Sequence, residues 1–367
     1  MAGRVQLGKI VLFGSGETSA TGRTIHDRLM ADLPRPVVVA ILETPAGFQP
    51  NSEHVAGEVA EFIIGRLKNY QPDVRIIPAR KKESRFSPDD ALLLEPLLDA
   101  NYIFLGPGSP TYAARNLEGT LALEYLVERH KAGAVLCFAS AATLAVGAKV
   151  LPVYEIFKAG SDLYWADGLN IFGAYGLDLA IVPHWNNTDG GVHLDTSRCF
   201  MGQERLEQLR PLLPASAVLL GIDEHTALIF DFQQGRALVA GKGTVTIASD
   251  AGEKTYSIGD SFALDELGPY RLPPVVTSRL PARAQAKNPP AATLPPEVAK
   301  LINLREDARR AQHWAEADAL RQQIAGMGFE VQDTPQGPRW LYSAEKGPVR
   351  AAPAAARGGR RRRTSPG

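Results

Sequence analysis

Over the first 213 residues, short β-branched and apolar runs alternate with longer stretches whose apolar positions recur every three or four residues. That alternation predicts a mostly parallel sheet with crossover helices. The predicted strands are KIVLFG (9–14), PVVVAIL (36–42), VRIIPA (74–79), YIFLG (102–106), AVLCFA (134–139) and DLAIVP (178–183). Helical spacing marks SEHVAGEVAEFIIGRLKNY, SPDDALLLEPLLDA and EGTLALEYLVERHKAG, with SPDD giving its helix a serine cap and first-turn acids. After QERLEQLRPLLP the pattern changes to hairpins, AVLLGIDEHTALIFDFQQGRALVAGKGTVTIAS and KTYSIGDSFAL, which should continue the sheet with antiparallel strands. The expected fold is therefore α/β, flavodoxin-like, over residues 1–268.

Residues 269–296 hold eight prolines and little periodicity, and read as a linker. Residues 297–345 read as a small helical domain, two helices and a short hairpin. Its expected apolar spine is Leu301, Leu304, Ala308, Ala311, Ala315, Ala319, Leu320 and Ile324. The Ala/Pro/Gly/Arg tail, 346–367, is expected to be disordered.

Forty basic and forty acidic residues cancel across the 367, so net charge points to no polyanionic partner. The balance is local: from Arg350 onward there are six arginines and no acid. Cys137 and Cys199 are the only cysteines, too few for a disulfide framework or a thiolate zinc site, and neither metal nor cofactor is expected. No 18-residue apolar run and no signal peptide are visible, which predicts no membrane partner and a reducing, cytoplasmic setting.

Ser140 stands where an apolar strand meets a helix of small residues, the place at which α/β hydrolases put a nucleophile. Other strand ends are also unusual: FGSGETS (13–19), LGPGSP (105–110), VPHWNN (182–187) and, in the hairpin region, GIDEHTAL (221–228). Their order and content, over roughly residues 8–265, resemble the cyanophycinase and aspartyl-dipeptidase group of serine peptidases, within the class I glutamine-amidotransferase-like fold.

The resemblance implies a serine hydrolase acting on a small peptide-like amide. Ser140 would be the nucleophile, His184 its base, and Glu224 the group that orients the imidazole. The N–H groups of Gly108 and Ala141 would form the oxyanion hole. Alternatives stay open: His193 or His225 in place of His184, Asp189 in place of Glu224, and Cys137, the amidotransferase-like nucleophile, although it lies three residues early in a buried strand. Relatives cut beside acidic residues, which makes Arg115, His193, Arg198 and Arg205 candidate substrate contacts.

One departure from the family stands out. Its elbow reads G-x-S-A-G, whereas this chain has Phe138-Ala139-Ser140-Ala141-Ala142. Strand alternation would send Phe138 into the core and leave the turn intact. The rival reading is a catalytically inactive binding protein.

LREDARRAQHWAEADALRQQIAGMGFEVQDTPQGPRW (304–340) resembles the anticodon-proximal C-terminal segment of bacterial cysteinyl-tRNA synthetases. No H-I-G-H, K-M-S-K-S or zinc cysteines accompany it, so aminoacylation is not expected. What it implies is tRNA or other RNA as a partner, with Arg305, Arg309, Arg321 and the tail arginines Arg360, Arg361, Arg362 and Arg363 as candidate contacts. Acids outnumber bases eight to six over 296–345, so the folded part is no basic patch. A docking or homo-oligomerisation role is the alternative.

Overall fold

The computed structural model describes residues 7–249, 252–273, 280, 296–311, 313–327, 329–334 and 337–342. The chain divides into two compact units, Met1–Pro281 and Ala282–Gly367. Most of the expected linker, and the tail with Arg360, Arg361, Arg362 and Arg363, lie outside the described residues.

The first unit begins with β1 (Ile10–Phe13), α1 (Ala20–Ala31), β2 (Val38–Leu42), α2 (Ser52–Arg66) and β3 (Asp73–Ile77). β4 (Tyr102–Leu105), α3 (Pro110–Leu117), α4 (Leu121–Lys131), β5 (Val135–Ala139) and the short α5 (Ala141–Ala145) follow. Then come β6 (Lys149–Val150), β7 (Ala166–Asp167), β8 (Leu179–Val182) and α6 (Gly202–Leu209). β9 (Val218–Ile222), β10 (Thr226–Asp231), β11 (Arg236–Gly241), β12 (Thr244–Ser249), β13 (Gly252–Ser257) and β14 (Ser261–Ala263) complete it.

Eight strands form the larger sheet in the order β14-β11-β10-β1-β5-β4-β2-β3. The five from β1 to β3 are parallel, and β10, β11 and β14 extend them antiparallel, as the α/β pattern predicts. Alternate residues serve two cores. Ile10, Leu12, Ile103, Leu105, Leu136 and Phe138 face one, while Val11, Phe13, Tyr102, Phe104, Val135 and Cys137 face the other. Both faces being covered explains the unbroken apolar runs.

Three expectations are corrected. The first is a single sheet: β8 joins a second one, ordered β13-β12-β9-β8-β6-β7. The second is the hairpin series. β9 lies in the smaller sheet and β10 in the larger, so residues 223–225 cross between sheets rather than turn within one. The chain crosses back between β11 and β12, and β13 and β14 are likewise split. The first two crossings are tied together: Asp223 N–H donates to Thr244 O at 3.1 Å and Lys242 N–H to His225 O at 3.0 Å. Alternating apolar residues announce a strand but not which of two stacked sheets receives it.

The third correction concerns SPDDALLLEPLLDA, which forms turns and one 3₁₀ turn, Glu95–Leu98. Ser87 Oγ accepts from Asp89 N–H, and Asp90 Oδ1 from the N–H groups of Leu92 and Leu93. Asp89 Oδ1 accepts from Leu121 N–H at the start of α4. These side chains compete with helix hydrogen bonds, and Pro96 cannot continue a helix.

The second unit contains α7 (Pro296–Arg310), α8 (Trp314–Gly326), β15 (Phe329–Thr334) and β16 (Gly337–Tyr342), the last two an antiparallel pair. Val298, Ile302, Ile324 and Val331 form its apolar cluster, and Ala308 and Ala317 are also buried. The expected spine is met in part: Ala308 and Ile324 are buried and Leu301 packs against the core, whereas Leu304 is 43% exposed and Ala311, Ala315 and Ala319 are exposed. Alanines interleaved with polar residues carry too weak a periodicity to fix which stripe turns inward.

Candidate active site

β5 ends at Ala139, and Ser140 takes φ +51°, ψ −111° before α5 begins. A serine held in so sparsely populated a region is strained backbone of the kind that turns a side chain out of a strand-to-helix corner. The corner is braced by Thr143, whose Oγ1 donates to Phe13 O at 2.9 Å or Phe138 O at 2.8 Å. Phe138 is 1% exposed, paired in the sheet with Leu12 and Leu105, and Ala142 is buried in the same core. The side chains that replace the two expected glycines are thus absorbed on the core side, away from Ser140.

His184 follows β8 with φ +51°. Its N–H donates to Gly14 O after β1, and the next residue, Trp185, donates to Ile222 O at the end of β9. The Trp185 ring lies so close to β9 that a Cβ on Gly221 would stand 2.3 Å from it. Glycine at 221 is what lets the ring, and with it His184, sit there.

Ser140 Oγ is 3.1 Å from His184 Nε2, and His184 Nδ1 is 3.0 Å from Glu224 Oε1. Because a carboxylate only accepts, Nδ1 carries the imidazole proton and Nε2 is left to accept from the serine hydroxyl. Glu224 lies on the crossing between β9 and β10. Asn186 Oδ1 accepts its N–H at 2.8 Å, and buried Asn187 donates Nδ2 to Glu224 Oε1 at 3.0 Å.

Gly108 and Ala141 border the same cavity as Ser140 and His184, a space of about 170 Å³. Gly108 has φ +151°, and a Cβ there would meet Pro45 O at 1.9 Å. The loop is fastened by Ser109 N–H donating to Pro45 O at 2.9 Å.

The other candidates are placed elsewhere. Asp189 and His193 are exposed. His225 is part of the crossing, with its ring against Gly16. Cys137 is buried, donates to Tyr102 Oη at 3.0 Å, and burial pushes its thiol up to about 12. Arg115 lies over the Tyr112 ring, and Arg205 is exposed on α6. Arg198 stacks on Trp185 at 4.1 Å and donates Nη1 to Trp185 O. None of the three arginines borders the cavity at Ser140.

Asn186, Asn187 and Glu17 escaped the sequence reading. Half-buried Glu17 follows β1; burial raises its carboxyl above the usual range, opposed by its own backbone N–H and by His184 and His225. The strings FGSGETS and VPHWNN mark both places, since strand ends in open α/β sheets converge on one site. Which side chains meet there depends on the sheet crossing.

In the second unit Arg305 is 1% exposed and bonded to Glu306, so it presents no cation at the surface. Arg309 lies over Trp314, and Arg321 is exposed. Among the described residues no group of three or more His, Cys, Asp and Glu is placed to hold a metal ion, and no helix is long and apolar enough to cross a membrane.

The structure is similar to that of a peptidase from an acI-B1 Actinobacterium, with TM-score 0.56 and 21% identity, over 71% of this chain and 98% of that one. The likeness shows a shared fold. Residues 291–340 match the cysteinyl-tRNA ligase anticodon binding domain family. Among curated proteins, the cysteine–tRNA ligase of Chlamydia abortus is 50% identical over 46 residues, 12% of this chain and 10% of that protein. That of Symbiobacterium thermophilum is 50% identical over 44 residues, 12% of this chain and 9% of that protein. The chain spans about a tenth of the length of these relatives. The chain thus shares over 71% of its length the fold of the acI-B1 Actinobacterium protein, and carries besides a segment similar to the anticodon binding domain of cysteinyl-tRNA ligases.

Proposed function

We propose that the first unit is a serine hydrolase that cleaves a small peptide-like amide. The observation that carries this is the 3.1 Å and 3.0 Å spacing of Ser140, His184 and Glu224 at a strained strand-to-helix corner. Ser140 Oγ attacks the amide carbon while its proton passes to His184 Nε2. Glu224 holds the resulting imidazolium, and the oxyanion takes hydrogen bonds from the N–H groups of Gly108 and Ala141. One such donor is worth about 10²–10³ in rate. The C–N bond then breaks, the His184 proton goes to the departing amine, and an acyl-serine remains. Water attacks that acyl group, giving a proton to His184, which returns it to Ser140 as the acid leaves.

Labelling with a fluorophosphonate, followed by mapping of the modified residue, tests the reading. Modification of Ser140 that is lost in His184→Ala supports it. Equal labelling of wild type and Ser140→Ala refutes it and leaves the binding-protein alternative.

A second reading concerns the second unit, and the match over residues 291–340 favours it. We propose that this unit contacts RNA, with tRNA the first partner to test. Salt-sensitive retention of tRNA by the full chain is the expected result, and no retention at low salt returns the unit to a docking or homo-oligomerisation role.

A further inference from the structure

Away from Ser140 and His184, the cavity walls are mostly apolar. Leu144 comes from α5, one turn beyond the nucleophile. Val153, Tyr154 and Phe157 come from the segment after β6, where Tyr154–Lys158 form a single π-helical turn, a feature common at functional sites. Phe200 reaches in from a run in which Arg198, Cys199 and Phe200 all have positive φ. The rings of Phe157 and Phe200 lie 5.3 Å apart, and Phe200 is 6.5 Å from the His184 ring. Apolar surface therefore continues from the base to the far aromatic wall.

Charge is sparse. Among the described residues Lys158 is the one lysine or arginine bordering the cavity, and it is exposed, over the outer Phe157 ring at 5.0 Å. A carboxylate entering this space would lose water to aromatic and aliphatic walls with one solvated counter-charge to replace it, which is unfavourable. A ring or branched chain would lose nothing and bury apolar area. Size narrows the class further: about 170 Å³ is below the roughly 300–1,000 Å³ of sites that enclose drug-sized ligands, so the space suits one side-chain-sized group.

We propose that this cavity is the acyl-side specificity pocket, and that it selects an aromatic or branched aliphatic side chain next to the scissile carbonyl rather than an acidic one. The proposal rests on the serine-hydrolase reading above. The acyl group held there is the one transferred to Ser140 Oγ and then to water, with the amine leaving first.

The test compares kcat/KM of the full chain on aminoacyl p-nitroanilides bearing Phe, Leu, Ala or Asp, beside fluorophosphonate labelling of Ser140. Phe and Leu should exceed Ala by about 10–200-fold, the range of small apolar differences in a hydrophobic pocket, with Asp slowest. Phe157→Ala and Phe200→Ala should lower the Phe-to-Ala ratio at least about tenfold while Ser140 remains labelled. Phe157→Leu should retain most of the ratio, separating lost apolar wall from lost fold. Labelled Ser140 with Asp the fastest substrate, abolished by Lys158→Ala, overturns the proposal and leaves the hydrolase standing. So does a Phe-to-Ala ratio unmoved in both alanine variants. Absence of labelling together with absence of turnover overturns both.

Discussion

Asn187 Nδ2 donates to Glu224 Oε1 at 3.0 Å, the same oxygen that accepts from His184 Nδ1. The amide thereby fixes the carboxylate that fixes the imidazole. Asn187→Ala should cut kcat by about 10–100-fold, as expected for a hydrogen bond to a charged group, with KM little changed. Steady-state kinetics with a circular-dichroism check of folding measures this. An unchanged kcat would remove Asn187 from the positioning set.

Ser140→Ala and His184→Ala should each lose about 10⁴–10⁶ in kcat, and the double variant should be little worse, because residues acting as one unit do not contribute additively. Additive losses would show the two acting separately, whatever their 3.1 Å separation.

Phe138 is buried beneath the turn that carries Ser140. Phe138→Ala should destabilise the first unit by about 3–5 kcal/mol, the cost of a large-to-small change in a core. Ala142→Gly should cost about 0.5–1 kcal/mol, the usual cost of glycine in a helix, and preserve activity. Urea unfolding of the two variants checks both figures. Little loss in Phe138→Ala would contradict the close packing against Leu12 and Leu105.

His26 is enclosed under the same site, donating Nε2–H to Glu17 O and accepting at Nδ1 from Tyr102, which in turn accepts from Cys137. Burial lowers its pKa from 6.5 to about 4. Between those values the unfolded chain binds more protons than the folded one, so stability is full above about pH 6.5 and falls as pH drops toward 4. The contribution is about 3 kcal/mol in full, with about 2 lost by pH 5. His130, lowered by burial to about 3, acts in the same direction. Urea midpoints at pH 7 and 5 should separate more in wild type than in His26→Gln. Equal separation would mean that His26 is not buried neutral.

Deleting residues 350–367 removes six arginines. If these engage RNA, the log–log salt slope of binding should flatten by up to about 4–5 units, at about 0.7–0.9 per phosphate contact. Hydrolysis should not change. Binding that survives the deletion points to Arg309 and Arg321, because Arg305 is already committed to Glu306.

Much of the larger sheet could be read from the chain because a strand buried on both faces is a continuous apolar run, and β1, β2, β4 and β5 are such runs. Ser140 and His184 were legible for a related reason: each stands at the abrupt end of one. Glu224 was found as an acid near the right place, but its support was not. Asn186 and Asn187 reach it only because the chain leaves one sheet for the other at residues 223–225, and nothing local in GIDEHT announces a change of sheet. The cavity walls were illegible for the same reason, since Leu144, Phe157 and Phe200 come from three separate segments.

That paired passage between the sheets gives the first unit a mechanical character. Glu224 rides on one cable of a two-cable bridge whose other cable, residues 241–244, is lashed to it at Asp223–Thr244 and His225–Lys242. Ser140 is anchored to the larger sheet, while His184 follows β8 in the smaller one and is held to the larger by its N–H bond to Gly14 O after β1. Sliding one sheet against the other by even an ångström would open the serine–imidazole gap while the lashing restrains the acid. The alignment of proton donor and acceptor is therefore a gauge of sheet-to-sheet registry, and substitutions far from Ser140, where β9 passes to β10 and β11 to β12 between the sheets, should be felt there first.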